Sequence, residues 1–113
     1  GIERSSSYRL THQLIALLET LHSQLKTSYE DYGIKQNIYS VAIRKLEAAE
    51  NSYSDAFQSY SQGLITQTEL LQSFNNLVDA QNGLNDAKYD VIISIYELQR
   101  AVQTPLIEIE EQI

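Results

Sequence analysis

Large and small side chains recur on a seven-residue period through most of this chain, and that repeat leaves few folds open to it. Leu18, Leu25, Tyr32, Tyr39, Leu46, Tyr53 and Tyr60 form one set, with Leu14, Leu21, Ser28, Lys35, Ala42, Ala49 and Ala56 between them. Alternating steps of three and four residues place both sets on one face of a helix, as in a coiled-coil seam. The second half repeats the scheme with Leu70, Leu77, Leu84, Val91 and Leu98, interleaved with Ser73, Ala80, Ala87, Ser94 and Ala101. Small residues let two backbones approach closely while large neighbours fill the flanking space.

The two seams are in register. Folding the chain back at Leu64 and Ile65 sets Tyr60 against Leu70, Tyr53 against Leu77, Leu46 against Leu84 and Tyr39 against Val91. The small layers coincide as well, Ala49 with Ala80 and Ala42 with Ala87. Unrelated amphipathic helices would not match large with large and small with small through successive layers. The fold class this predicts is all-α: a long antiparallel coiled-coil helical hairpin, with one Pro and four Gly to interrupt it.

Local chemistry marks the turn. Gly63 suits the left-handed position just past a helix end, and Leu64 is placed to supply the apolar contact of such a cap. Thr66 followed by Glu69 is a capping box for the second helix, which makes Glu69 a capping residue first. The expected boundaries are a first helix over about 5–62, a tip loop at 63–66, a second helix over about 67–103 and a tail at 104–113. The tail begins around Pro105, and its alternation of Ile107 and Ile109 with Glu108 and Glu110 fits a short strand or a frayed end.

The arms are therefore unequal. About twenty residues of the first are expected to lack a partner within the hairpin, including Leu10, Leu14, Ile15, Leu17, Leu18 and Leu21. Apolar residues also stand off the seam: Ile34, Ile38, Val41 and Phe57 on the first helix, and Phe74, Tyr89, Ile92, Ile93 and Tyr96 on the second. Stripes of that extent usually mark an interface, so the hairpin reads as one stave of a larger helical bundle or barrel.

Composition narrows the function. A net charge of −7 and a pI near 4.6 disfavour nucleic acid as a partner, because binding phosphate needs a basic face. Without Cys there is no disulfide framework and no thiolate metal site. His12 and His22 lie ten residues apart, not the three or four of a helical metal pair, so no metal or other cofactor is expected. No nucleophile elbow, phosphate loop or converging carboxylate pair is present, and an enzyme is not expected. The Tyr stripe reads as seam packing with hydroxyls at the edge. No apolar run has the length of a bilayer span, and a start at Gly1 without Met fits a piece of a larger protein.

Tyr53-x6-Tyr60-x2-Gly63-Leu64, then Leu70-Leu71, then Leu77-x2-Ala80-Gln81-x2-Leu84-x2-Ala87 resembles the TolC-like outer-membrane channels of multidrug efflux and type I secretion. The resemblance covers roughly Tyr39 to Val102, and the turn pattern is closer to the second of the two hairpins in a protomer of that family. It implies a periplasmic stave of a trimeric, twelve-helix tunnel, whose tip docks a periplasmic adaptor protein. Tyr60, Gly63, Leu64, Ile65, Leu70 and Leu71 would form that docking tip. Family members with a gated entrance carry acidic residues six and nine positions after the tip Gly and a basic residue two after it. Here those positions are Glu69, Gln72 and Ile65, so Glu69 and Gln72 are the pore-lining candidates and a closing ion pair from Ile65 is excluded. The rival expectation is a free-standing coiled-coil module that dimerises into a four-helix bundle.

Overall fold

The computed structural model describes residues 2–112, with all side chains in that span except those at positions 2, 3, 105, 108, 109 and 112. Two helices account for almost all of it: α1, Ile2–Ser61, and α2, Gln67–Gln112. They are joined by residues 62–66, and no strand occurs among the described residues. The fold is the all-α helical hairpin that the paired seams require.

The turn is built from backbone. Gly63 has a φ of +74°, in the left-handed region, and its N–H donates to the carbonyl of Tyr60 at 3.0 Å. Leu64 N–H donates to the carbonyl of Ser59 at 2.9 Å. Together these two bonds are a Schellman cap, which satisfies carbonyls that the end of a helix leaves without partners. On the other side Glu69 N–H donates to Thr66 Oγ1 at 3.1 Å, and Thr66 N–H donates to Glu69 Oε2 at 3.4 Å. The capping box is formed in both directions, although the second bond is long.

Two compact units are distinguishable, Ile34–Ile92 and Gly1–Gly33 with Ile93–Ile113. In the first, the side chains withdrawn from solvent are those of the seam. Ala42 and Ala87 are buried, and Tyr39, Leu46, Ala49, Tyr53, Ala56, Leu70, Ser73, Leu77, Ala80, Leu84 and Val91 are half-buried. A lone helix pair offers each helix one narrow contact line. Only a side chain short enough to end inside that line is fully covered, while a Leu or Tyr straddles its edge. Tyr60 departs from the pattern and is 40 % exposed, because the layer beside the turn is open on its outer side. The rings of Tyr53 and Phe74 lie 5.7 Å apart, tilted by 59°, and join the two helices.

The other unit follows the repeat on its α2 side, where Ser94 is 2 % exposed and Leu98 and Ala101 are half-buried. The Ser94 hydroxyl has a partner, as every buried side-chain polar atom among the described residues does. On its α1 side the repeat holds only in part. Leu17, Leu21 and Ser28 are half-buried, but Leu14, Leu18 and Leu25 of the expected seam are exposed.

The end of α2 corrects one boundary. A stop near residue 103 with a tail or strand beyond was expected, yet α2 runs through Pro105 to Gln112. Proline inside a helix removes one hydrogen bond and crowds the carbonyl four residues back, here that of Ala101. A strand would leave the whole ladder of 106–112 without a partner, since no other strand is available among the described residues. Helix loses less. The final residue, Ile113, lies outside the described residues, as does the Ile109 side chain on which the alternation rested. The extension also shortens the expected overhang: the helices are 60 and 46 residues long, and Leu17 and Leu21 are partly covered. Leu10, Leu14, Ile15 and Leu18 remain exposed.

Candidate docking tip and lateral groove

The turn sorts the six tip candidates into two roles. Ile65 and Leu70 are half-buried and hold the loop and the start of α2 against the seam. Leu64 is 72 % exposed and Leu71 58 % exposed, so their side chains face solvent. Gly63 supplies the left-handed backbone, and Tyr60 is intermediate between the roles.

Leu64 corrects the expectation that its side chain completes the helix cap. The apolar contact in a Schellman cap is made with the residue five positions back, or with the one before that. Five back is Ser59, which offers its carbonyl but no apolar surface. The backbone N–H of Leu64 caps the helix; its side chain is left over.

Glu69 and Gln72, the candidates for a pore lining, are both exposed. Glu69 is tied back to Thr66 by the capping box, which constrains where its carboxylate reaches. Helical spacing puts Glu69, Gln72, Asn76 and Asp79 along one side of α2, and Leu71, Phe74 and Val78 along the other. The tip residues thus continue into two different lateral faces.

One lateral face is aromatic. Phe57 and Phe74 are exposed on α1 and α2, and Tyr53 contacts both, at 6.4 and 5.7 Å between ring centroids. The off-seam residues Phe57 and Phe74 were legible in the sequence, but not their meeting through a seam tyrosine. The opposite face holds an open groove of about 690 Å³. Its floor is Ala42, Ala80 and Gly83, its α1 bank includes Ile38, Val41 and Lys45, and Asp79 stands on the α2 bank. The sequence signal for this groove was Gly83, whose position inside α2 otherwise looks only unfavourable.

His12 lies against the ring of Tyr8, with centroids 4.2 Å apart, one turn away on the same helix. Among the described residues no group of three or more His, Asp or Glu is placed to hold a metal ion, and no helix is long and apolar enough to cross a membrane. Fold and site together define a coiled-coil helical hairpin with a capped, apolar tip. Comparison with protein-family models, curated proteins and solved structures gave no match.

Proposed function

We propose that this hairpin is a stave in the periplasmic wall of a TolC-like outer-membrane channel for efflux or type I secretion, with its tip docking the adaptor protein that connects the channel to its pump. The observation that carries this reading is the tip itself. A backbone cap closes the turn without help from the Leu64 side chain, and Leu64 and Leu71 are left as exposed apolar side chains at the end of the hairpin. Solvating a leucine there brings the hairpin nothing, whereas burying both against a partner removes apolar area from water at about 25 cal/mol per Å². The exposed stripes on both lateral faces fit neighbouring staves of a wall. The mechanism is passive: the hairpin lines a conduit and offers a docking point, and the parent channel is a trimer.

The test is adaptor-dependent export by the parent channel carrying Leu64→Ser, compared with the thermal stability of the same variant hairpin. Loss of export with little loss of stability is the expected result. Unchanged export would remove Leu64 from the docking site. If Leu71→Ser were equally silent, the channel reading would lose its support.

A further inference from the structure

We infer, on the reading that the tip docks an adaptor, that it selects this partner by the absence of charge: it accepts only an uncharged surface, and the contact holds no ion pair. One residue in five of the chain is charged, yet between Asp55 and Asp79 only Glu69 is. The run from Ala56 to Thr68 carries no charge at all. Folding sets the two uncharged runs, 56–68 and 70–78, beside each other at the end of the hairpin. At 1.5 Å per residue they cover roughly the last 9 Å of α1 and the first 18 Å of α2. Neutrality belongs to the tip and not to the helices, since Arg44, Lys45, Glu47, Glu50 and Asp55 follow closely on one another just before it.

Even Glu69 is offset where it stands. Its carboxylate accepts the Thr66 N–H, in the first turn of α2, where the positive end of the helix dipole faces it. What remains for a partner is the pair of exposed leucines, Leu64 and Leu71, beside the exposed amides of Gln62 and Gln67. Neither amide side chain has a hydrogen-bond partner within the chain among the described residues. An amide both donates and accepts, so it pairs with main-chain groups or other amides without needing a charge opposite.

Such a surface discriminates. A partner that brings a Lys, Arg, Asp or Glu into the contact strips it of water with no opposite charge to receive it, and that loss opposes docking. An uncharged partner loses nothing of the kind and gains the burial of both leucines. Selection therefore comes from what the tip leaves out as much as from what it offers.

The experiment places charge of either sign on the tip of the parent channel and reads adaptor-dependent export, with Leu64→Ser alongside. Gln62→Lys, Gln62→Glu, Gln67→Lys and Gln67→Glu should each lower export about tenfold or more. Helix ends favour Lys at 62 and Glu at 67, so hairpin stability moves in opposite directions at the two positions while export falls with all four. Thermal melts of the variant hairpins separate the two effects. Loss with one sign of charge and a gain with the other overturns the neutral contact, because the partner then carries a counter-charge. Export unchanged by all four also overturns it. In both cases docking at the tip stands if Leu64→Ser abolishes export. Silence of Leu64→Ser together with the four removes docking at the tip, and this selection with it.

Discussion

The two units of this chain carry the same repeat and use it differently. In Ile34–Ile92 the seam positions are the covered ones, and alanines at 42 and 87 close the middle of the contact line. In Gly1–Gly33 with Ile93–Ile113, α2 keeps its seam while α1 exposes Leu14, Leu18 and Leu25. The difference shows that periodicity alone does not bury a residue. A seam needs a partner of matching size at each layer. In the first unit the register pairs Tyr, Leu and Ala with Leu, Val and Ala, and nearly all of these positions are withdrawn from solvent. In the second, α1 offers a nearly continuous apolar run, Leu14-Ile15-Ala16-Leu17-Leu18, that names no single face.

This contrast is most sharply broken by substitution inside the buried layer. Ala87 is 4 % exposed, and Ala87→Leu should overpack the helix pair and lower stability by about 1–3 kcal/mol. Ala49→Leu and Ala80→Leu act in a layer that is only half-buried, and should fall at the lower end of that range. Leu18→Ala, in the other unit, should change stability by no more than about 0.5 kcal/mol, since the side chain is largely in water. Chemical denaturation of the four variants checks the set. Equal effects from Ala87→Leu and Leu18→Ala would mean the two units pack alike.

A second measurement sharpens the comparison at the far end of α2. Pro105→Ala restores the N–H that the Ala101 carbonyl lacks in the wild-type helix, and a proline inside a helix costs about 3 kcal/mol relative to Ala. Helix ends fray, so the gain should appear locally. Amide exchange at residues 106–112 should slow by roughly tenfold or more, with global stability rising less. No slowing would mean that this segment is held by contacts rather than by its own hydrogen bonds.

Much of the fold was legible because the repeat, the Gly63 cap and the Thr66–Glu69 box are all local signals that agree with one another. The register is a reading of matching side-chain size across layers, and the burial of both seams in Ile34–Ile92 agrees with it. What was not legible has physical reasons. Pro105 is a breaker by propensity, but the seven residues after it have nothing else to pair with. The burial choice between Leu17 and Leu18 depends on a rotation of α1 that its all-apolar run does not specify. At the candidate site, the sequence gives Leu64 an apolar character and a position, but not the identity of its contact. That depends on Ser59, whose carbonyl accepts the cap's hydrogen bond and whose side chain offers no apolar surface.

Cap chemistry gives the next smaller effects. Gly63→Ala forces an L-residue to a φ of +74° and should lower stability by about 1 kcal/mol, with no steric clash, since a Cβ there meets nothing within 4 Å. Thr66→Ala removes the acceptor for Glu69 N–H and should cost a similar amount, about 1 kcal/mol. Both act on the turn of the first unit and should leave exchange in the second unchanged.

The smallest expected effect is the most informative about function. If Leu64 were part of the hairpin's packing, Leu64→Ser would remove buried apolar area and lower stability by about 1 kcal/mol or more. The structure puts the side chain 72 % in water and assigns the cap to its N–H, which serine keeps. The substitution should therefore shift stability by no more than about 0.5 kcal/mol, well below Gly63→Ala. Thermal melts of the two variants side by side settle the order. A Leu64→Ser hairpin as weak as Gly63→Ala would return the side chain to the cap and leave the tip without its most exposed apolar contact for a partner.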